Sequence, residues 1–97
     1  MDEEFTELVL RAVEQIPPGQ ATTYGDIAQF LGRGGPRQVG QVMSRVGGSV
    51  AWWRVVRADG RPVRGLENEA LARLAADGTP LQGERVDLGR ARHRFEH

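Results

Sequence analysis

The chain has 97 residues, 39% of them hydrophobic and 27% charged, which predicts one small globular domain over residues 1–97 with no room for a second catalytic domain. It contains no cysteine, and this excludes disulfide bonds, thiolate nucleophiles and cysteine-rich zinc sites. The N-terminus lacks the regions of a signal peptide, and no apolar run approaches the roughly 20 residues that cross a membrane. We therefore expect a cytoplasmic protein without a membrane partner.

Acidic and basic side chains are segregated along the chain, although its net charge is zero. Residues 1–26 carry six acidic residues and one arginine, whereas residues 27–66 carry seven arginines and one aspartate. Phosphate neutralisation requires such a local surplus of positive groups. The middle of the chain therefore predicts a basic surface that suits nucleic acid.

Two helices are predicted in the first third of the chain. Residues 2–16 carry apolar side chains at helical spacing, and Pro17-Pro18-Gly19 ends this first helix because proline removes backbone donors. Thr23 is expected to cap a short second helix over about residues 24–31. The glycine pair Gly34-Gly35 then predicts a turn into the next element.

A third helix is predicted to begin at Pro36, which suits the first helical position. One side of this helix is apolar, and its other side carries Arg37, Gln38, Gly40, Gln41 and Arg45. A glycine inside a helix costs about 1 kcal/mol relative to alanine, and close approach to another surface would compensate for it. The pattern is typical of a helix-turn-helix unit whose second helix enters a groove. An ordinary solvated surface helix is the alternative, and the pattern alone leaves both open.

The segment after the third helix is predicted to be extended. Residues 51–56 favour a strand, and Asp59-Gly60 predicts a hairpin turn into residues 61–63. Neighbouring side chains of a strand point to opposite faces, so Trp52 and Trp53 are expected to have different surroundings. As an alternative, both are simply large residues that a small core needs.

The last third is predicted to contain one helix and a loosely packed tail. Apolar residues at helical spacing over 66–75 indicate the helix, and Asp77-Gly78 ends it. We expect the tail to fray toward its end. His93 and His97 have no partners at metal-ligand spacing, so neither a metal nor another cofactor is expected. The predicted fold class is mainly α with a short β-hairpin, a winged-helix-like single domain.

Four stretches, in this order and spacing, resemble one family over about residues 5–80: Ile16-Pro17-Pro18-Gly19, Thr23-Tyr24-Gly25-Asp26-Ile27-Ala28, Arg37-Gln38-Val39-Gly40-Gln41-Val42-Met43 and Trp52-Trp53-Arg54-Val55-Val56. The chain is similar to the DNA-binding domain of O6-alkylguanine-DNA alkyltransferases, and more closely to the alkyltransferase-like proteins that lack the acceptor cysteine. In the transferases the last stretch is Pro-Cys-His-Arg. The resemblance therefore implies that Trp52 stands where the nucleophile would be.

Direct alkyl transfer needs a soft, deprotonated nucleophile, which an indole cannot supply. Tryptophan at this position is typical of the alkyltransferase-like branch. That branch commonly keeps the following histidine and the preceding proline, so Trp53 and Ala51 depart from its pattern.

The resemblance assigns two groups of residues. The expected DNA contacts are Thr23, Tyr24, Arg37, Gln38, Gly40, Gln41 and Arg45. Within this group Tyr24 would meet the phosphate of the target nucleotide, and Arg37 would fill the space left by a flipped base. The alternatives are a half-buried core tyrosine and a solvated arginine at a helix start, where the helix dipole disfavours positive charge.

The second group is expected to line a pocket for alkylated guanine: Tyr24, Met43, Val50, Ala51, Trp52, Arg54 and Arg64. Met43 would form its floor, with an ordinary core methionine as the alternative. Arg54 is expected to brace the loop more than to contact DNA, and Arg64 to reach over the rim.

The resemblance implies a non-enzymatic sensor, a monomer that docks on the minor groove, flips O6-alkylguanine and flags it for nucleotide excision repair proteins. Its partner would be double-stranded DNA containing alkylated guanine. A helix-turn-helix transcriptional regulator that reads undamaged operator DNA is the alternative. An enzyme that uses another nucleophile is a third hypothesis.

Overall fold

A computed structural model describes residues 2–96 of the chain. Five helices and two short strand pairs follow one another in the order α1 (Glu3–Glu14), β1 (Thr22–Thr23), α2 (Tyr24–Leu31), α3 (Pro36–Val46), β2 (Val55–Val56), α4 (Glu67–Ala76), β3 (Leu81–Gln82), β4 (Arg85–Val86) and α5 (Leu88–Ala91). Two 3-10 turns, Gly47–Ser49 and Trp52–Arg54, connect α3 to β2. No helix within the described part of the chain is both long and apolar enough to span a membrane.

Helix α1 forms because its first turn is capped and one of its sides is apolar. The Asp2 carboxylate accepts hydrogen bonds from the backbone N–H groups of Glu4 and Phe5, at 2.9 and 3.3 Å. The buried side consists of Phe5, Val9, Ala12 and Val13. These side chains pack against α2 and α3 to form the larger of two apolar clusters.

The helix-turn-helix prediction is confirmed in its details. The Thr23 hydroxyl accepts a hydrogen bond from the Asp26 backbone N–H at 3.0 Å, which fixes the start of α2. Gly32 ends α2 in the left-handed conformation, with φ +71°. Pro36 is the first residue of α3, and the Gln38 side-chain oxygen accepts from the Gly35 backbone N–H at 2.9 Å.

The predicted hairpin over residues 51–63 is wrong. The turn at Asp59-Gly60 forms, but Val55–Val56 pairs in parallel with Thr22–Thr23, and residues 61–63 form no strand. Pro62 has no N–H to donate to a ladder, which disfavours a strand there. The hairpin of this fold is instead β3 with β4, joined through the left-handed Gly83.

The C-terminal segment, which the sequence predicted to pack loosely, is anchored. Ala91 is buried, and the Ala21 backbone N–H donates to its carbonyl at 2.9 Å. Phe95 stacks on Phe30 with ring centroids 4.6 Å apart. His93 has a structural role, because its Nδ1 lies 2.6 Å from the Gln20 side-chain oxygen.

The remaining C-terminal histidine, His97, lies outside the described residues.

Strand β2 connects the two apolar clusters of the molecule. Its Val55 belongs to the cluster built on α1, α2 and α3, whereas Val56 belongs to a second cluster with Leu74 and Val86. Neighbouring side chains of a strand point to opposite faces, so this short strand is held from both sides. The turn immediately before it, Trp52–Arg54, is therefore attached to a rigid element.

Candidate nucleic-acid interface

An open cavity of about 380 Å³ lies between α3 and the loop that precedes α4. This is within the size range of small-molecule binding sites. Tyr24 contributes from the start of α2 and Trp52 from the 3-10 turn. The other lining residues come from α3, the turn after it and the loop before α4: Gly40, Met43, Ser44, Gly47, Gly48, Val63, Arg64 and Leu66.

Four of the predicted pocket residues meet at this cavity, namely Tyr24, Met43, Trp52 and Arg64. Met43 also packs on the larger apolar cluster, so it is both a core residue and part of the wall. The Trp52 indole N–H has no hydrogen-bond partner within residues 2–96. The cavity therefore has an aromatic wall with an unused donor.

Three predicted pocket residues, Val50, Ala51 and Arg54, do not line the cavity, and the prediction is corrected for them. The reason is the conformation of the segment. The Arg54 backbone N–H donates to the Ala51 carbonyl at 3.1 Å, which makes a tight turn instead of the expected strand. Val50 packs on the larger apolar cluster, and Arg54 points away from the cavity.

Arg54 and Trp53 are held by one carboxylate on the far side of the turn. Asp77 accepts hydrogen bonds from Arg54 Nε at 2.8 Å, from Arg54 Nη2 at 3.1 Å and from the Trp53 indole at 2.9 Å. Arg54 Nη1 also donates to the Ile16 carbonyl at 3.0 Å. These hydrogen bonds, chiefly those from Arg54, lower the pKa of Asp77. The expectation that Arg54 braces the loop agrees with these contacts.

The arginines of residues 27–66 fall into two classes. Four are engaged within the protein: Arg33 with Asp2 and Glu4, Arg54 with Asp77, Arg61 with Asp59, and Arg57 with the Pro62 carbonyl. Arg37, Arg45 and Arg64 are exposed and have no ion pair or hydrogen bond within the described part of the chain. The unpaired positive charge therefore lies along α3 and at the cavity rim.

The exposed side of α3 contains most of the predicted DNA contacts. Gln41 is exposed, and Gln38 uses its oxygen as a cap while its amide group stays free to donate. A Cβ added at Gly40 would meet no protein atom within 4 Å, so the backbone is open to approach there. Two predicted contacts, Thr23 and Tyr24, lie outside α3. Thr23 is 5% exposed, and its hydroxyl caps α2. The DNA contact predicted for Thr23 stays a prediction beside this capping role.

Tyr24 stands at the junction of the cavity and this surface. Burial raises the pKa of its hydroxyl, and the charge of Arg57 partly offsets that effect. The hydroxyl is therefore neutral near pH 7 and has no hydrogen-bond partner among residues 2–96. It can donate a hydrogen bond to a ligand oxygen or accept a hydrogen bond from a ligand.

The sequence interpretation placed Gly40 only among the DNA contacts, and it assigned no site role to the other unpredicted lining residues: Ser44, Gly47, Gly48, Val63 and Leu66. Gly47-Gly48 was visible in the sequence as a glycine pair after α3, but a glycine pair by itself indicates a turn and no ligand. Leu66 is 47% exposed, although helical spacing predicted it to be part of a buried stripe. Its exposure at the cavity rim is a tertiary property that apolar spacing does not report.

Comparison with known proteins decides the family. The family described as "6-O-methylguanine DNA methyltransferase, DNA binding domain" matches residues 4–79. The chain belongs to this family. It is 36% identical to the "DNA base-flipping protein" of Escherichia coli over 97% of this chain and 78% of that protein. It is also 36% identical to "Alkyltransferase-like protein 1" of Schizosaccharomyces pombe, over 84% of this chain and 81% of that protein.

Solved structures of the family share the fold. Atl1 of S. pombe, in complex with damaged DNA containing O6-carboxymethylguanine, matches with a TM-score of 0.85 and 29% identity over 98% of this chain and 99% of that one. The O6-methylguanine methyltransferase of Mycobacterium tuberculosis matches with a TM-score of 0.67 and 27% identity. That match covers 86% of this chain and 53% of the methyltransferase. The fold class and the resemblance inferred from the sequence are thereby confirmed.

Proposed function

We propose that this protein is a DNA damage sensor that rotates O6-alkylguanine out of the duplex and holds it in the cavity without removing the alkyl group. The observation that carries the proposal is a 380 Å³ cavity with a tryptophan wall, next to a helix whose arginines are unpaired. Two relatives support the proposal. One is named a DNA base-flipping protein, and the structure of the other is a complex with damaged DNA containing O6-carboxymethylguanine.

The docking element in this proposal is α3, lying along the minor groove. The open space at the Cβ position of Gly40 lets the backbone approach the DNA, and Gln41 and Arg45 contact the groove and the phosphates. Because the minor-groove pattern of donors and acceptors is degenerate, we expect little sequence preference. Arg37, at the exposed start of α3, enters the duplex and stacks in the space of the displaced base.

The cavity then receives the displaced base. Trp52 offers an apolar wall to the alkyl group, Met43 a polarizable floor, and Arg64 a positive charge at the rim. Displacing a base costs a few kcal/mol, and least for a poorly paired base. An O6-alkylated guanine pairs poorly, so the damage itself contributes to the selectivity of binding.

No transfer step follows binding in this proposal. The chain contains no cysteine, and the Trp52 indole is not a nucleophile for dealkylation. The bound complex is instead a mark on the DNA that recruits nucleotide excision repair proteins. Intact-mass spectrometry after incubation with O6-methylguanine DNA should give an unchanged protein mass, and a gain of one methyl group would overturn the proposal.

Lesion recognition is tested by fluorescence titration with two duplexes that differ only in one guanine, unmodified or O6-methylated. We expect tighter binding to the methylated duplex. Tyr24→Ala and Arg37→Ala should both weaken binding, and Arg37→Ala should lose more of the preference for the lesion. Arg85→Ala, on the exposed β4 strand of the hairpin, is the control and should bind like the wild type. Equal wild-type affinity for both duplexes would refute lesion recognition.

A further inference from the structure

Arg57 follows the strand that pairs with the strand before Tyr24, and neither the sequence motifs nor the names of the relatives assign Arg57 a role. In the parallel pairing of β1 with β2, Thr22 stands opposite Val55 and Thr23 opposite Val56. The residues that follow these two strands are Tyr24 and Arg57, so the two segments leave the sheet side by side. Two residues far apart in sequence are thereby brought to the same end of the sheet, and one of them, Tyr24, lines the cavity.

The Arg57 guanidinium is half-buried and only partly engaged. Its Nε donates to the Pro62 carbonyl at 3.1 Å, and its two terminal nitrogens have no partner within residues 2–96. Its charge acts on the Tyr24 hydroxyl, where it offsets part of the rise in pKa that burial causes. The sheet pairing therefore sets a residue with a neutral hydroxyl beside a residue with a cation whose terminal donors are free.

The nearest carboxylate does not neutralise this pair. Asp59 accepts the Arg61 backbone N–H at 3.0 Å and lies 3.5 Å from Arg61 Nε, so it is committed to the turn. The pKa of Asp59 is lowered, first by the hydrogen bond from the Arg61 backbone and also by the charges of Arg57 and Arg61. Two arginines thus face one aspartate, and an excess of positive charge is left beside Tyr24.

We propose that Tyr24 and Arg57 together bind the backbone phosphate of the nucleotide that is displaced into the cavity. This inference rests on the proposed base flipping. A hydroxyl and a planar guanidinium with free N–H groups are donors that suit phosphate oxygens. Because Arg57 is held by the Pro62 carbonyl, the clamp is preorganised and needs little rearrangement when DNA binds.

The same contact suggests a competing role, in which Arg57 only positions the loop that carries Val63 and Arg64 into the cavity. Two variants separate these roles. Arg57→Gln removes the charge but keeps side-chain donors, whereas Arg57→Lys keeps the charge but loses the planar fork that reaches Pro62. Arg85→Gln is the control, because Arg85 is exposed on β4 and its side chain has no hydrogen bond or ion pair within residues 2–96.

The experiment measures the dissociation constant for an O6-methylguanine duplex at several salt concentrations. A protein that gives up one phosphate contact loses about one unit from the slope of log K against log salt. We expect Arg57→Gln to show this loss and to bind about tenfold more weakly at low salt, while Arg57→Lys and Arg85→Gln keep the wild-type slope. Equal slopes for Arg57→Gln and the wild type would overturn the clamp, as would loss of slope in the lysine variant.

A duplex with one neutral methylphosphonate next to the lesion locates the contact. On this duplex the wild type and Arg57→Gln should bind equally, and a methylphosphonate six nucleotides away should leave their difference intact. The methylphosphonate is placed first on one side of the lesion and then on the other. If the difference in affinity between the wild type and Arg57→Gln persists in both cases, the proposal is overturned. Failure of the proposed base flipping would give a different result. The wild type would then bind the lesion duplex and the undamaged duplex, both with ordinary phosphates, equally well.

Discussion

Trp52 and Trp53 are neighbours in one 3-10 turn, yet their surroundings have little in common. Trp53 is fully engaged: its indole donates to Asp77 at 2.9 Å, and its ring lies 5.3 Å from the Arg54 guanidinium and 4.8 Å from that of Arg73. Trp52 faces the cavity, and its indole N–H is unpaired within residues 2–96. The two rings meet edge to face, with centroids 5.8 Å apart. One indole holds the turn in place, so the other can stand free as a wall.

The same division applies to the arginines. On the clamped side, which is the side that Asp77 holds, Arg54 connects the turn to Asp77 and, through the Ile16 carbonyl, to the segment just after α1. On the open side, Arg37 and Arg64 make no ion pair or hydrogen bond within residues 2–96, so they add no such contact to the stability of the fold. We conclude that stability is concentrated behind the turn and binding capacity in front of it. Substitutions on the two sides should therefore separate stability from binding.

The largest expected effect is that of Asp77→Ala on stability. The Asp77 side chain is 12% exposed and that of Arg54 is 14% exposed, so the variant leaves a largely buried cation and an indole N–H without their acceptor. Removing one partner of such a pair costs about 3 kcal/mol in free energy of unfolding, measured by urea denaturation. The control is Glu69→Ala, which breaks an exposed pair with Arg73 and should cost at most about 0.5 kcal/mol. Similar losses of stability in both variants would contradict the role of Asp77 in holding the turn.

Acid titration identifies the charge as the cause. The hydrogen bonds from Arg54 and Trp53 hold the pKa of Asp77 below its ordinary value of 3.8 in the folded protein. Its contribution to stability is therefore complete above about pH 4 and is lost as the pH falls toward the folded pKa. Asp77→Asn lacks this contribution at every pH. The difference in stability between the wild type and Asp77→Asn should shrink below pH 4, and a constant difference would assign the effect to packing.

Trp52→Ala should have the opposite profile. An aromatic ring that stacks on or flanks a base contributes about 2 kcal/mol to binding, so affinity for the O6-methylguanine duplex should fall roughly 30-fold. The free energy of unfolding should change by less than for Asp77→Ala, because the half-exposed Trp52 side chain makes no hydrogen bond within residues 2–96. Trp53→Phe is the control and should reduce stability by about 1 kcal/mol while the lesion preference is kept. Unchanged lesion affinity in Trp52→Ala would remove the tryptophan wall from the proposal.

Local signals allowed the open side to be predicted from the sequence. The cap at Thr23 and the helix start at Pro36 depend on residues within three or four positions, and both were predicted correctly. The cavity position of Trp52 followed from the motif that resembles the family. Tyr24 was expected in the same pocket from another of the four stretches, and Arg64 from its place just before α4. The structure brings both residues to one cavity with Trp52.

The clamped side could not be predicted, because its partners are distant in sequence. Asp77 is 23 residues from Arg54, and Thr22 pairs with Val55 across an even longer separation. Without the knowledge of that parallel partner, residues 51–56 favoured a hairpin with the segment that follows. The apolar residues of the C-terminal tail likewise had no visible partner until Ala91 was found against Ala21. Non-local pairing of this kind leaves no periodic trace in the sequence.

The smallest and most specific effect is expected at Gly40, where stability and binding should change in opposite directions. Alanine is favoured over glycine in a helix by about 1 kcal/mol, and a Cβ at position 40 would meet no protein atom within 4 Å, so Gly40→Ala should stabilise the fold. The same methyl group would stand between α3 and the DNA backbone, so affinity should fall for lesion and undamaged duplexes alike. Asn68→Ala, on the exposed side of α4, also raises helix propensity and should not lower affinity. If Gly40→Ala binds both duplexes as tightly as the wild type, this side of α3 does not meet DNA, and the open side of the molecule needs another ligand.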